Sequence, residues 1–163
     1  MLKYKILNSK EVKSIIEKIN SQFDCELDKN DMPYVFIMNK DNKIYIISKK
    51  LSEIPYDDLK IDVAGLYFGE IYKDKLRLSI EGSQIIGSHA KKNIYDANYE
   101  QMILWIKGND IEFEDTGEDF VILRYKDPKT GKYDYLGCGR YNTNNGKLMN
   151  YVSKSRRLIV VNN

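Results

Sequence analysis

Apolar residues in the first part of the chain predict a helix followed by a β-hairpin. Between Asn8 and Phe23 they recur at helical spacing and fall on one face. Asn8 or Ser9 can cap this helix, and Glu11 stands three residues after Asn8, as in a capping box. Two runs rich in β-branched and aromatic residues, YVFIM and KIYIIS, then flank a short polar segment, which is typical of a hairpin.

The middle of the chain alternates between strand-like and helix-like patterns. The runs DVAGLYFGEIY and KLRLSI predict two strands joined by a turn at Lys73 and Asp74. The segment SIEGSQIIGS predicts a short helix that ends near Gly87.

The segment DANYEQMILWIKG predicts a clearer helix. Asp96 is the expected cap, and Gly108 is placed as a C-terminal stop. Trp105 is expected beside the inward face, where it covers the core. The residues predicted to form that inward face are Tyr99, Met102, Ile103 and Ile106.

The pattern in the last part of the chain predicts a meander of β-strands. Asn145 and Gly146 predict a two-residue hairpin turn, because both positions tolerate positive φ. Short strands with few helices favour a small β-barrel or a strongly twisted sheet. The four strand-like runs are FVILRY, YDYLGCGRY, KLMNYV and LIVV.

An acidic stretch precedes this meander, with six Asp and Glu residues between Gly108 and Asp119. Such a run is usually a solvated loop, and it lacks the spacing of a calcium-binding loop. We therefore predict no metal ligands here.

The composition bounds the fold and the compartment. A chain of 163 residues with 42% hydrophobic residues suits one compact domain or two small ones. We place a boundary near Tyr72, giving segments 1–72 and 73–163 of an α+β protein, without a flexible linker. No apolar run is long enough to span a membrane, and no secretory signal is apparent. Two cysteines suit a reducing compartment, so the expected location is cytoplasmic.

The net charge of +2 conceals a basic C-terminal part. Residues 1–72 carry 11 Lys and 12 acids (11 − 12 = −1), and residues 73–163 carry 15 Lys and Arg and 12 acids (15 − 12 = +3). From Gly146 onward there are four basic residues and no acid. Arginine suits phosphate contacts, but basic residues also protect sheet edges, and charge alone leaves both interpretations open.

Several kinds of chemistry lack their motifs. There is no phosphate-binding loop, no dinucleotide-binding glycine motif and no serine nucleophile elbow. His89 is the only histidine, which excludes zinc sites with several histidines. Cys138 could act as a nucleophile beside Arg140, but a small buried residue on a bending strand is the favoured interpretation. We predict no catalytic residue, no metal and no cofactor.

Four stretches in the second half together resemble a PUA domain, a small RNA-binding β-barrel. The match consists of a helix closing in Trp-Ile-Lys-Gly, a strand ending in Arg-Tyr, a Leu-Gly-x-Gly-Arg strand and a basic Ser-Arg-Arg tail. The stretches are LSIEGSQIIGS, NIYDANYEQMILWIKGNDI, DFVILRY and YLGCGRYNTNNGKLMNYVSKSRRL.

This region is similar to the C-terminal region of archaeal Sun-family RNA cytosine-C5 methyltransferases and to small ribosome-biogenesis proteins built from a pre-PUA segment and a PUA domain. The stretch AGLYFGEIYKDKLRLS resembles the junction between those two parts. The resemblance covers about Ile61 to Leu158, and residues 1–60 match only in the order of their elements.

The resemblance implies an N-terminal pre-PUA α/β segment packed on a PUA-like RNA-binding β-barrel. The chain has no methyltransferase core and no Pro-Cys pair. The implied function is therefore non-catalytic RNA binding in rRNA or tRNA modification or in ribosome biogenesis. The implied partners are rRNA or tRNA, with an RNA methyltransferase or a ribosome-assembly protein as a second partner.

The resemblance also implies which residues contact RNA. In PUA domains the RNA meets the glycine-containing loop after the main helix and the residues near the last strand. Lys91 and Lys92 are added on charge alone. The full set is Lys91, Lys92, Lys107, Gly108, Asn109, Arg140, Tyr141, Lys154, Ser155, Arg156 and Arg157.

Two other functions stay open from the sequence. A protein-interaction adaptor would use an exposed edge of the YVFIM and KIYIIS hairpin to extend a partner's sheet. A small enzyme would use Cys138, with His89 as its base, although the two lie in different predicted elements.

Overall fold

A computed structural model describes residues 4–50, 65–114 and 119–159, which form a mixed α+β fold with two five-stranded sheets. The first sheet is antiparallel and has its strands in chain order. Its strands are β1 (Tyr4–Ile6), β2 (Tyr34–Asn39), β3 (Lys43–Ser48), β4 (Leu66–Tyr72) and β5 (Lys75–Leu78).

The second sheet follows two short helical elements and has the order β6-β8-β9-β10-β7. Strand β6 runs parallel to β8, and the remaining pairs are antiparallel. Its strands are β6 (Ile94–Ala97), β7 (Ile111–Glu112), β8 (Phe120–Lys126), β9 (Tyr133–Asn142) and β10 (Lys147–Asn150). The helices are α1 (Ser9–Phe23), α2 (Ile80–Ile86) and α3 (Tyr99–Ile106).

Helix α1 begins as predicted. The Asn8 side chain accepts hydrogen bonds from the backbone amides of Lys10 and Glu11, each at 3.0 Å. The Glu11 carboxylate accepts the Asn8 amide at 2.9 Å, which completes the capping box. The apolar face of α1 packs in the first core through Ile15, Ile16, Ile19 and Phe23.

Both predicted hairpins of the first sheet are present. Strand β2 pairs with β3, and β4 pairs with β5 around Lys73 and Asp74, whose φ values are 46° and 65°. Since β5 belongs to the first sheet, this sheet continues past the boundary placed at Tyr72.

The prediction that the YVFIM and KIYIIS hairpin has an exposed edge, which an adaptor would use, is wrong. Strand β2 is paired on both sides, by β1 and β3, and β3 is paired by β2 and β4. The edges of the first sheet are β1 and β5, because the short β1 at the start of the chain covers β2.

Helix α3 differs from its prediction in its cap and in its buried face. Its cap is Asn98, which forms a capping box with Gln101, whereas Asp96 lies in β6. Trp105 is fully buried, and Tyr99 is 63% exposed. The helix is short and docks through Trp105, whose indole N–H donates to the Leu136 carbonyl oxygen at 2.8 Å. Tyr99 is therefore not part of an inward face.

Three further predictions for the C-terminal part are wrong. The acidic stretch is not simply a loop, because Ile111 and Glu112 form β7. Four residues, 143–146, connect β9 to β10, and the loop closes through a hydrogen bond from the Gly146 amide to the Asn142 carbonyl oxygen at 2.9 Å. Residues 158–159 of the LIVV run lie in no strand, and residues 160–161 fall outside the described residues.

The second sheet is open in its hydrogen-bonding order, with β6 and β7 at its edges. Side chains bring these edges together. The rings of Tyr95 and Phe113 meet at 4.8 Å between centroids. Gln101 of α3 donates to the Tyr95 hydroxyl at 2.9 Å and contacts the Glu112 carbonyl oxygen at 3.5 Å. The sheet thus encloses a core without a continuous ring of hydrogen-bonded strands.

Strand β8 contributes to both hydrophobic cores. Phe120 and Ile122 pack in the first core with α1 and the first sheet. Val121 and Leu123 pack in the second core with Trp105. Successive side chains of a strand point to opposite faces, so β8 is apolar on both of them. Within the described residues, no helix is both long and apolar enough to cross a membrane.

Candidate nucleic-acid interface

The loop after α3 and the basic tail meet at Gly108 and Arg157. Gly108 follows α3 with φ +91°, and its amide donates to the Trp105 carbonyl oxygen at 2.9 Å. A Cβ atom at this position would lie 2.8 Å from Cζ of Arg157 and closer still to its Cδ and Nε. The Arg157 side chain therefore lies directly across the glycine backbone, which brings the loop after α3 and the basic tail together.

Two hydrogen bonds attach the tail to the rest of the second half. The Leu158 amide donates to the carbonyl oxygen of Ile106 at 2.7 Å. The Nε of Arg157 donates to the carbonyl oxygen of Val152 at 3.0 Å. These bonds hold the tail against the end of α3 and set the direction of the Arg157 side chain.

Two exposed lysines adjoin this contact. Lys107 is the C-cap residue of α3, and Lys154 begins a 3₁₀ turn, Lys154–Arg156, just before Arg157. Neither lysine forms an ion pair with any residue that the structure describes. We call Lys107, Gly108, Lys154 and Arg157 the glycine–arginine surface.

Arg156 points away from this surface. Its guanidinium forms an ion pair with Glu81 of α2. The Arg156 side chain remains 50% exposed, and that of Glu81 is 19% exposed. The side chains of the two adjacent arginines therefore contact different parts of the protein. Arg157 lies across Gly108, whereas the charge of Arg156 is offset by the Glu81 carboxylate. Ser155 is exposed, with its hydroxyl 3.2 Å from that of Ser153.

Asn109 and its neighbour Asp110 connect α3 to β10. The Asn109 side chain donates to the Leu104 carbonyl oxygen at 3.3 Å, and its own carbonyl oxygen accepts from the Asn150 side chain at 3.1 Å. The Asp110 carboxylate accepts the Asn150 amide at 2.8 Å. Asn109 is therefore engaged within the protein, and Asp110 places a negative charge near the glycine–arginine surface.

Arg140 and Tyr141 lie on opposite faces of β9 and are not part of that surface. The Arg140 guanidinium lies 5.8 Å from the ring centroid of Phe120. Tyr141 is partly buried against the second core, with its ring 5.9 Å from that of Phe113. The Tyr141 ring is therefore used in packing, and stacking on a base would need it to move.

Lys91 and Lys92 lie beside the C-terminal end of α1. Their backbone amides donate to the Phe23 carbonyl oxygen at 2.9 and 3.1 Å. Lys91 also forms an ion pair with Glu26 at 3.4 Å. These contacts tie the two lysines to the first half of the chain and do not bring them to the tail.

A cleft lies between the two sheets, and no pattern in the sequence predicts it. It is about 300 Å³ in volume, and two of its walls meet where the Arg77 guanidinium lies 4.4 Å from the ring centroid of Tyr151. These residues are far apart in the chain, so no local motif could reveal their contact. We define the inter-sheet cleft by Tyr67, Arg77, Glu81, Tyr151, Ser153 and Arg156.

Cys138 is buried, with 2% of its surface exposed, although it is one of the residues that line the inter-sheet cleft. Burial raises the pKa of its thiol to about 12, and a backbone hydrogen bond at Leu78 and the Arg77 charge oppose that shift only in part. His89, the proposed base, is exposed. A protonated, buried thiol is a poor nucleophile, so this geometry favours the packing interpretation of Cys138.

Gly139, the glycine that follows Cys138, has a packing role. A Cβ atom on Gly139 would come within 2.6 Å of both Leu148 Cγ and Trp105 Cη2. Gly139 therefore makes room for the buried indole. Among the described residues, no group of three or more His, Cys, Asp or Glu side chains could hold a metal ion.

Comparison with known protein families and with curated proteins finds no match to this chain.

Proposed function

We propose that this protein is a non-catalytic RNA-binding protein that acts in rRNA or tRNA modification or in ribosome biogenesis. In this proposal, the first half is a pre-PUA-like segment and the second half is a PUA-like domain. The observation that carries it is the contact between Arg157 and Gly108, which joins the glycine loop and the basic tail that the resemblance assigns to RNA.

The glycine–arginine surface has the chemistry that a sugar-phosphate chain requires. Gly108 has no side chain, and the space that this leaves is taken by the Arg157 side chain, which lies across the loop. Lys107 and Lys154 are exposed and can neutralise phosphates, which releases counterions and gives salt-dependent affinity. Arg157 can present its guanidinium to a phosphate oxygen. These contacts favour the shape of a folded RNA over a particular base sequence.

The test is RNA binding by the wild-type chain and by a Lys107→Ala/Lys154→Ala double variant. Binding of a tRNA transcript is measured by fluorescence anisotropy over a series of salt concentrations. We expect the variant to bind more weakly and its salt slope to fall by about two, roughly one for each phosphate that the variant no longer neutralises.

The matched control is Lys91→Ala/Lys92→Ala, which removes the same charge from another part of the molecule. If both double variants weaken binding equally, net charge alone explains the affinity. If wild type and both variants bind no RNA, the proposed function fails.

A second proposal is a protein-interaction adaptor for an RNA-modifying enzyme or a ribosome-assembly factor. It is supported by exposed apolar side chains around α3 and the tail: Leu104 is 45% exposed, Leu158 50% and Ile159 79%. Association with a methyltransferase or ribosomal protein that survives nuclease treatment would favour it. Loss of that association with nuclease would show that RNA is the bridge.

A further inference from the structure

The inter-sheet cleft is built by both halves of the protein. Tyr67 and Arg77 come from the first sheet, and Tyr151 and Ser153 follow the last strand of the second. Its volume of about 300 Å³ is at the small end of ligand pockets. Such a cleft can hold one base and its sugar but not a duplex.

One side of the cleft is suited to stacking. The Arg77 guanidinium lies over the Tyr151 ring, and Arg77 is held in place by an ion pair with Glu70 at 2.7 Å. Tyr151 also packs edge-on against Phe120 of β8, with ring centroids 5.8 Å apart, which fixes the orientation of its ring. Because Arg77 covers the Tyr151 ring, the surface left for a base is the plane of the Arg77 guanidinium, and arginine planes are surfaces on which unpaired bases stack.

The mouth of the cleft carries charged and hydroxyl groups. Arg156 is half exposed and pairs with Glu81, while Ser153 and Ser155 present hydroxyls beside them. Arg156 belongs to the same short tail as Lys154 and Arg157. Because Arg156 also lines the cleft, an RNA chain bound at the tail can extend to the entrance, where Arg156 could leave Glu81 for a phosphate.

We propose that the inter-sheet cleft binds one unpaired guanosine of the RNA held by the glycine–arginine surface. This inference rests on the proposed function. The base stacks on the Arg77 guanidinium inside the cleft, and Arg156 binds its phosphate. Glu81, released from Arg156, accepts hydrogen bonds from the base. Guanine offers N1–H and N2–H on one edge, two donors that match the two oxygens of a carboxylate.

The test compares a hairpin RNA that has one bulged guanosine with the same hairpin without the bulge. The 163-residue chain is expected to bind the bulged RNA about tenfold more tightly, the size of one base-stacking contact. Ser153→Phe, which fills the cleft mouth without removing charge, should abolish this preference and leave affinity for the paired hairpin unchanged. The matched control is Ser88→Phe, which places the same ring on an exposed position outside the cleft.

The outcomes separate the two proposals. If wild type binds both hairpins equally, or prefers a bulged adenosine as strongly, the guanosine site is overturned and RNA binding stands. If wild type binds neither, the proposed function itself fails. Crosslinking of wild type to a bulged 6-thioguanosine needs no variant: attachment near Tyr67 or Tyr151 supports the site, and attachment only at the glycine–arginine surface overturns it.

Discussion

The side chain of Arg157 lies across the backbone of Gly108, and its Nε is anchored on the Val152 carbonyl oxygen. This relationship joins two segments that lie far apart in the sequence. It depends on glycine at 108 for two reasons, since the position has a positive φ and lacks space for a side chain.

Gly108→Ala should therefore lower both stability and RNA affinity. The positive φ costs on the order of 1 kcal/mol or more for alanine, and the displaced Arg157 side chain adds to that cost. Gly131→Ala is the control, because Gly131 also has a positive φ, of +69°, but has nothing within 4 Å. Both variants are measured by urea unfolding and by RNA anisotropy. If the two variants lose equal stability and equal RNA affinity, the Arg157 contact has no effect.

Glu81→Gln should raise affinity for a fully paired RNA. The substitution removes the carboxylate that holds Arg156, so this guanidinium becomes available to a phosphate. We expect the salt slope to steepen by about one, the value for one additional neutralised phosphate. The control is Glu112→Gln, which makes the same change at an exposed carboxylate paired with Lys147 at 3.7 Å. If the control raises RNA affinity by the same amount, the effect comes from overall charge and not from the release of Arg156.

Gly139→Ala should destabilise the second core, and the effect should depend on Trp105. The new Cβ would clash with the indole at Cη2, an atom that phenylalanine lacks. Overpacking of this kind costs roughly 1–3 kcal/mol. In a double-mutant cycle with Trp105→Phe, measured by circular dichroism during urea unfolding, the double variant should be destabilised by less than the sum of the two single variants. Additive effects would contradict this role of Gly139.

Burial of Cys138 predicts a loss of stability at alkaline pH. The pKa of its thiol is 9.0 in its ordinary state and about 12 in the folded protein. The folded state therefore favours the protonated thiol, and its contribution is complete below pH 9.0 and is lost as the pH rises toward 12. Urea unfolding between these values should show a shallower pH dependence for Cys138→Ala than for wild type. Equal slopes would contradict a thiol buried in this way.

Local patterns predicted most of the fold. The capping box at Asn8 and the two hairpins of the first sheet are encoded within short windows, and each is confirmed. Predictions failed where tertiary packing decides. Strand β7 has only two residues and forms because β10 pairs with it. The buried face of α3 is set by the docking of Trp105, which helical spacing could not show.

The candidate site was predictable in part, again where local sequence patterns define its segments. Gly108 and Arg157 each lie in a segment with its own sequence signal, and the structure brings them into contact. The divergence of Arg156 was not predictable, because its partner Glu81 is on α2. The packing of the Tyr141 ring against Phe113 likewise depends on how the second sheet encloses its core.

Strand β8 supplies apolar side chains to the cores on both of its faces. This one strand therefore adds buried side chains to the interior of both halves of the molecule. Loss of either core exposes one face of β8 to water and thereby weakens the other core. The stabilities of the two sheets are therefore coupled. The chain should thus melt in a single cooperative transition, even though it contains two sheets.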